Sequence, residues 1–233
     1  MMLKYLKNSQ NKINEQIKNF YTPLGIQVYF KDPLMNDDLD IEKAVSRLEE
    51  LVPKHLLSEI EMIIFGQFDE FEEKEINAFY RDGTLNISNF VDNEEEILGH
   101  MIHETSHSVE EAYGKEIYFD QKIKNEFLSK RMVLYDIMWK MGFKIPKSLF
   151  SSPEYNYELD MYLLQEVGYS KLSEAIRGLF INPYAVTSLR EYFATGFTEF
   201  FTHPNDHNYL KKISPKLFKK IELIYDEEKL DTN

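Results

Sequence analysis

His103-Glu104-Thr105-Ser106-His107 reads H-E-x-x-H. On a helix, residues four apart lie on one face, one turn apart. Both imidazoles can therefore reach a single metal ion. The carboxylate between them is placed to take a proton from a water that the ion activates. A catalytic zinc site needs three protein ligands and one open position. The motif supplies two, so the chain must provide a helix here and a third ligand from elsewhere.

The helix is written into residues 93–113. Asn93 and Glu96 have capping-box spacing, and Gly114 suits a helix end. Leu98, Met101, Ile102, Thr105, Val109 and Ala112 fall on one stripe, while His100, His103, His107 and Glu110 fall on the opposite one. One face can enter a core and the other can face a cleft. Glu110, seven residues beyond His103 on the same face, is a candidate to orient a ligand imidazole through an outer hydrogen bond. His100 also faces that side, as a residue lining the cleft, because a fourth protein ligand would close the site.

The rest of the chain must position this helix. It has 233 residues, 43% hydrophobic, with 15 Tyr and 17 Phe, enough for a sizeable core. Its formal charge of −13 repels phosphate backbones and anionic membrane surfaces. No apolar run approaches the ~20 residues of a membrane span. The absence of Cys excludes disulfides, thiolate-bound zinc and thiol catalysis. The first twenty residues lack the apolar core of a signal peptide, which fits a cytoplasmic chain or a mature form without its leader.

Along the chain, an amphipathic helix is expected over 3–20, a strand over 25–30, a helix over 40–51 capped by Asp40, a short helical piece from Pro53, and a buried strand over 62–65. An acidic loop is expected over 69–75, then a strand pair over 77–80 and 84–89 around Asp82-Gly83. Helices dominate afterwards, over 121–141, 155–167, 170–179, 187–202 and 215–228. The fold class is α+β: a small, mostly antiparallel sheet over the motif helix, then a helical C-terminal lobe. One domain over 1–233 is expected, with an N-terminal lobe over about 1–115, a C-terminal lobe over about 116–233, and a cleft between them.

For the third ligand, the residue six beyond His107 is Tyr113, which rules out a third histidine at the spacing H-E-x-x-H-x5-H. Glu126, in Asn125-Glu126-Phe127-Leu128-Ser129-Lys130, partly matches the N-E-x-x-S-D segment of thermolysin-like sites, one residue out of register. Glu191 is the other candidate, although Ser188-x-x-Glu191 also has capping-box spacing. The residues alone leave both open.

Tyr184 stands seven residues before Glu191, in Tyr184-x6-Glu191-Tyr192-Phe193-Ala194. Together with H-E-x-x-H, this resembles the anthrax lethal factor-type metallopeptidases, which include the clostridial Pro-Pro endopeptidases. In that family Y-x6-E-[FY]-F-A follows the motif helix. The likeness continues through an aromatic helix, a turn with His203 and His207, and a Lys-Lys-x-x-Pro segment, covering about residues 95–225. Ser106, Glu110 and Thr195 depart from residues common in the family at those positions. The resemblance implies a gluzincin-like zinc endopeptidase. His103, His107 and Glu191 would hold one Zn2+, Glu104 would be the general base, and Tyr184 would donate a hydrogen bond to the developing oxyanion. It implies a peptide or protein substrate, and leaves secretion open. A binding module that keeps the fold without activity, and a thermolysin-like peptidase using Glu126, are the alternatives. The substrate is expected to lie along an edge strand, Leu85-Asn86-Ile87-Ser88, through backbone hydrogen bonds. The chain is expected to be monomeric, with no nucleic-acid partner and no membrane insertion.

Overall fold

The computed structural model describes residues 19–230 apart from positions 37 and 75. The chain divides after Val109 into two compact units. The helix expected over 3–20 lies almost wholly outside the described residues, and Phe20–Tyr21 at its end form strand β1.

The first unit holds one five-stranded sheet in the order β1-β2-β3-β5-β4. Strand β2 spans Gln27–Phe30, β3 Met62–Gly66, β4 Ala78–Arg81 and β5 Thr84–Ser88. β1 pairs antiparallel with β2, and β4 antiparallel with β5. β2 with β3 and β3 with β5 are parallel. The sheet is therefore mixed, which corrects the expectation of a mostly antiparallel one. Helix α1 (Ile41–Leu51) forms the crossover between β2 and β3, and a crossover is what parallel pairing requires. Asp40 caps it, its Oδ1 accepting the Lys43 N–H at 2.9 Å, and Ile41, Ala44, Val45 and Leu48 are buried. The β4–β5 hairpin turns at Asp82 (φ 47°) and Gly83 (φ 75°), the left-handed pair that a two-residue turn of this hand needs.

The acidic segment expected as a loop is instead a short helix, α2 (Asp69–Lys74). Three of its acids, Asp69, Glu70 and Glu72, fall in the first turn, where the helix dipole favours them. Phe71 anchors it by edge contacts to Phe68 and Phe79, with ring centroids 5.2 and 5.7 Å away. The edge-strand assignment is also corrected. β5 lies inside the sheet with β3 on one side and β4 on the other, so its backbone ladder is already paired. Leu85, Asn86, Ile87 and Ser88 are all buried.

Helix α3 (Glu94–Tyr118) carries the motif and continues into the second unit. That unit is helical: α4 (Lys122–Lys140), α5 (Tyr157–Met161) running into a π turn at Tyr162–Val167, α6 (Tyr169–Ala175), α7 (Leu189–Thr202), α8 (Asn208–Ile213), α9 (Pro215–Tyr225) and α10 (Glu227–Leu230). Short 3-10 turns occupy Lys147–Phe150 and Tyr184–Val186. Gly142 (φ 98°) follows the end of α4 in the left-handed conformation. Aromatic residues of α7, Phe193, Phe197, Phe200 and Phe201, are buried, and Phe200 meets Phe218 of α9 at 5.8 Å. α7 and α9 approach closely at Gly196, where a Cβ would lie 2.3 Å from the Leu217 side chain. Among the described residues no helix is long and apolar enough to cross a membrane.

Candidate metal centre

α3 begins with two side-chain caps. Asn93 Oδ1 accepts the Glu96 N–H at 2.9 Å, and Glu96 Oε2 accepts the Asp92 N–H at 2.9 Å. The reciprocal bond thus closes on the residue before Asn93. Ile97, Leu98, Met101, Ile102, Thr105 and Val109 are buried, whereas Ala112, expected on the same stripe, is exposed. The helix does not stop at Gly114. It kinks at Tyr113 (φ −116°, ψ 20°) and runs on to Tyr118.

From Met101 to Glu110, only His103 and His107 escape full burial. Their rings meet edge to face, 5.3 Å apart and 84° inclined. Two of the hydroxyls among them bond within the helix: Thr105 Oγ1 donates to the Met101 carbonyl at 2.7 Å and Ser106 Oγ to the His103 carbonyl at 2.6 Å, whereas the buried Ser108 Oγ has no hydrogen-bond partner among the described residues. Ser106 is therefore accommodated without an outside partner for its donor. Glu104 is 6% exposed.

Glu191 lies in the first turn of α7. Ser188 caps that helix, its Oγ accepting the Glu191 N–H at 3.1 Å. The cap serves the Glu191 backbone and fixes where its side chain leaves the helix. His103, His107 and Glu191 each offer one ligand atom, and these atoms lie within 4.8 Å of one another. Zinc–ligand bonds of about 2.0–2.2 Å in a tetrahedron put donors about 3.4 Å apart, so small side-chain rotations bring this set onto one ion. All three residues are partly exposed, which suits a site with an open position. The donor chemistry, two imidazoles and a carboxylate, fits zinc.

Glu126 is engaged elsewhere. Its carboxylate accepts the Lys216 and Leu217 N–H groups at 2.9 and 3.1 Å, capping α9, and the Tyr192 hydroxyl at 2.9 Å. Among the described residues it belongs to no metal-holding group, and the reading of Glu126 as third ligand is set aside. Tyr192 OH and Ser214 Oγ also receive Lys130 Nζ, each at 2.7 Å. Burial lowers the Lys130 pKa to about 8, against the opposing charge of Glu126. An unfolded lysine titrates near 10.4. Between these values the unfolded chain holds a proton that the folded chain has released, so this group makes stability rise with pH from about 8 to 10. The urea midpoint of the native protein, compared with Lys130→Met across that window, is expected to show the rise only in the native chain. Tyr192 faces the same ammonium, but burial pushes its phenol upward, out of the window.

Glu110 is buried and bound from two sides. Tyr118 OH donates to one carboxylate oxygen, and Arg190 Nε lies 3.2 Å from the other. Burial first, and then the Glu110 charge, keeps the Tyr118 phenol protonated. Glu110 thus acts on the residue adjoining Glu191. Tyr118 and Arg190 were not legible as site residues: Tyr118 reaches back eight residues only because α3 kinks at Tyr113. Tyr118→Phe is expected to lower stability by about 1–3 kcal/mol in thermal melts, because a buried carboxylate loses a donor.

His100 sits outside the ligand group, 3.6 Å from Glu96. Burial lowers its pKa, outweighing Glu96, and its Nε2 is buried without a hydrogen bond. Tyr184 opens a 3-10 turn and is 41% exposed. Asn182 Oδ1 accepts the Ala185 N–H, and the Tyr184 carbonyl accepts the N–H and hydroxyl of Thr187. That turn holds Tyr184 in a fixed backbone frame ahead of the Ser188 cap. His207 is structural, stacked on Phe200 at 4.1 Å.

The chain matches no family model, no curated protein and no solved structure.

Proposed function

We propose that this chain is a zinc-dependent endopeptidase of the kind its motifs resemble, the lethal factor-type metallopeptidases. The observation that carries the reading is the convergence of His103, His107 and Glu191 ligand atoms within 4.8 Å, with Glu104 intact between the two histidines. A pure metal clamp has no use for that carboxylate.

When bound there, zinc would act as a Lewis acid on the scissile carbonyl and lower the pKa of water beside it. Glu104 takes the proton released as water attacks the carbonyl carbon, and returns it to the leaving amine as the C–N bond breaks. Its near-complete burial shields that proton from bulk solvent. Tyr184 donates its phenolic hydrogen to the oxygen that gains negative charge. Glu110, bonded to Arg190, steadies the first turn of α7 and with it the Glu191 carboxylate.

The test is a diverse peptide mixture incubated with the zinc-loaded protein beside Glu104→Ala, with cuts read by mass spectrometry. Cuts present only with the native protein support the proposal and give its subsite preferences. A protein that holds zinc and cuts nothing returns the reading to a binding module.

A further inference from the structure

Within the second unit lies an open cavity of about 560 Å3, whose lining includes none of the three ligands. The end of α3, the start of α4, α9 and α10 supply its lining. Five lysines surround it: Lys115, Lys122, Lys216, Lys219 and Lys220. Its carboxylates are Glu116 and Asp120. Five positive charges less two negative ones leave three, on a chain whose formal charge is −13.

The lysines divide into two sets. Lys122 and Lys220 both pair with Asp120, at 2.9 and 3.1 Å, and Lys220 also donates to the Glu116 carbonyl at 2.6 Å. Burial is the largest single influence on the Asp120 carboxyl and raises it, but the hydrogen bonds and charge of Lys122 and Lys220 together outweigh it and hold the group at about 2. Lys115, Lys216 and Lys219 are exposed and make no ion pair among the described residues. Beside them Phe119 is 79% exposed, an apolar surface at the rim, and Leu223 lines the wall.

We propose that this groove docks an acidic peptide segment, with carboxylates meeting Lys115, Lys216 and Lys219 and an apolar side chain resting on Phe119. The charge of the remaining chain repels such a segment, so the groove concentrates it by sign as well as by contact. A nucleic-acid backbone fits less well, because its charge continues beyond the groove into the repulsive field. The exposed ring and the lysine stems suit side chains of a peptide. The site does not depend on the metal reading.

The experiment follows the fluorescence anisotropy of a labelled peptide of alternating glutamate and leucine, bound to the full chain carrying Glu104→Ala so that nothing is cut. Binding weakened by salt is expected, and Lys115→Gln/Lys216→Gln/Lys219→Gln is expected to lower affinity about tenfold, the sum of three exposed charge pairs. An unchanged melting temperature confirms that the variant is folded. Phe119→Ser, at an exposed position, is expected to weaken the same peptide independently. Equal binding of a lysine–leucine peptide, or an unaffected triple variant, overturns the proposal. Tighter binding of an oligothymidylate of the same charge also overturns it and assigns the groove to phosphates.

Discussion

Glu104→Gln is expected to lower kcat/KM for peptide cleavage by about a hundred- to ten-thousandfold while the zinc content of the protein stays unchanged. Glutamine keeps the shape of glutamate but cannot accept the proton of the attacking water. The loss should therefore fall on kcat, with KM little affected, because the interaction removed belongs to the transition state. The measurement is steady-state cleavage of the best peptide from the library, with metal content by atomic emission. Loss of zinc together with activity would falsify the role given to Glu104 and make it part of the metal's own support.

Glu191→Ala is expected to abolish retention of zinc on dialysis, a larger loss than the roughly 10- to 100-fold seen when only an outer partner of a ligand is removed. The fold should survive, because the Ser188 hydroxyl accepts the backbone N–H of residue 191 and alanine keeps that bond. Glu126→Ala is expected to give the opposite pattern. It leaves two N–H groups of α9 and the Tyr192 hydroxyl without their acceptor, at about 1–3 kcal/mol for a buried loss of this kind, and keeps the metal. Zinc lost from Glu126→Ala and retained by Glu191→Ala would sink the ligand assignment.

The contrast between these two glutamates shows where sequence reasoning held and where it ran out. The H-E-x-x-H spacing, the Asp40 and Ser188 caps and the Asp82-Gly83 turn are local signals, settled within a few residues, and each appears where the sequence puts it. Strand direction is not local. β3 enters the sheet beside β5 although α2 and β4 intervene, so a strand that reads as half of a free hairpin becomes an interior one. The acidic stretch over 69–75 reads as solvated by composition, yet Asp69–Lys74 is helical, with its one apolar residue, Phe71, against Phe68 and Phe79. Gly114 looked like a stop and lies inside a helix, because the departure from helical dihedrals falls at Tyr113 instead. The partners of Glu110 were hidden for the same reason: a regular helix would not bring Tyr118 back to it.

Gly196 and Leu217 fix how deeply α7 sits against α9, five residues after Glu191 on the same helix. The helix bearing the carboxylate is seated by volume, with no side chain at one position and a fully buried leucine at the other. Sequence drift at this pair is thus constrained to compensating exchanges: a methyl gained at 196 must be matched by carbon lost at 217 for the carboxylate to keep its height. Among diverging relatives the two positions should change together or not at all, although neither touches a ligand, and their covariation would record the metal centre's geometry at a distance from its chemistry.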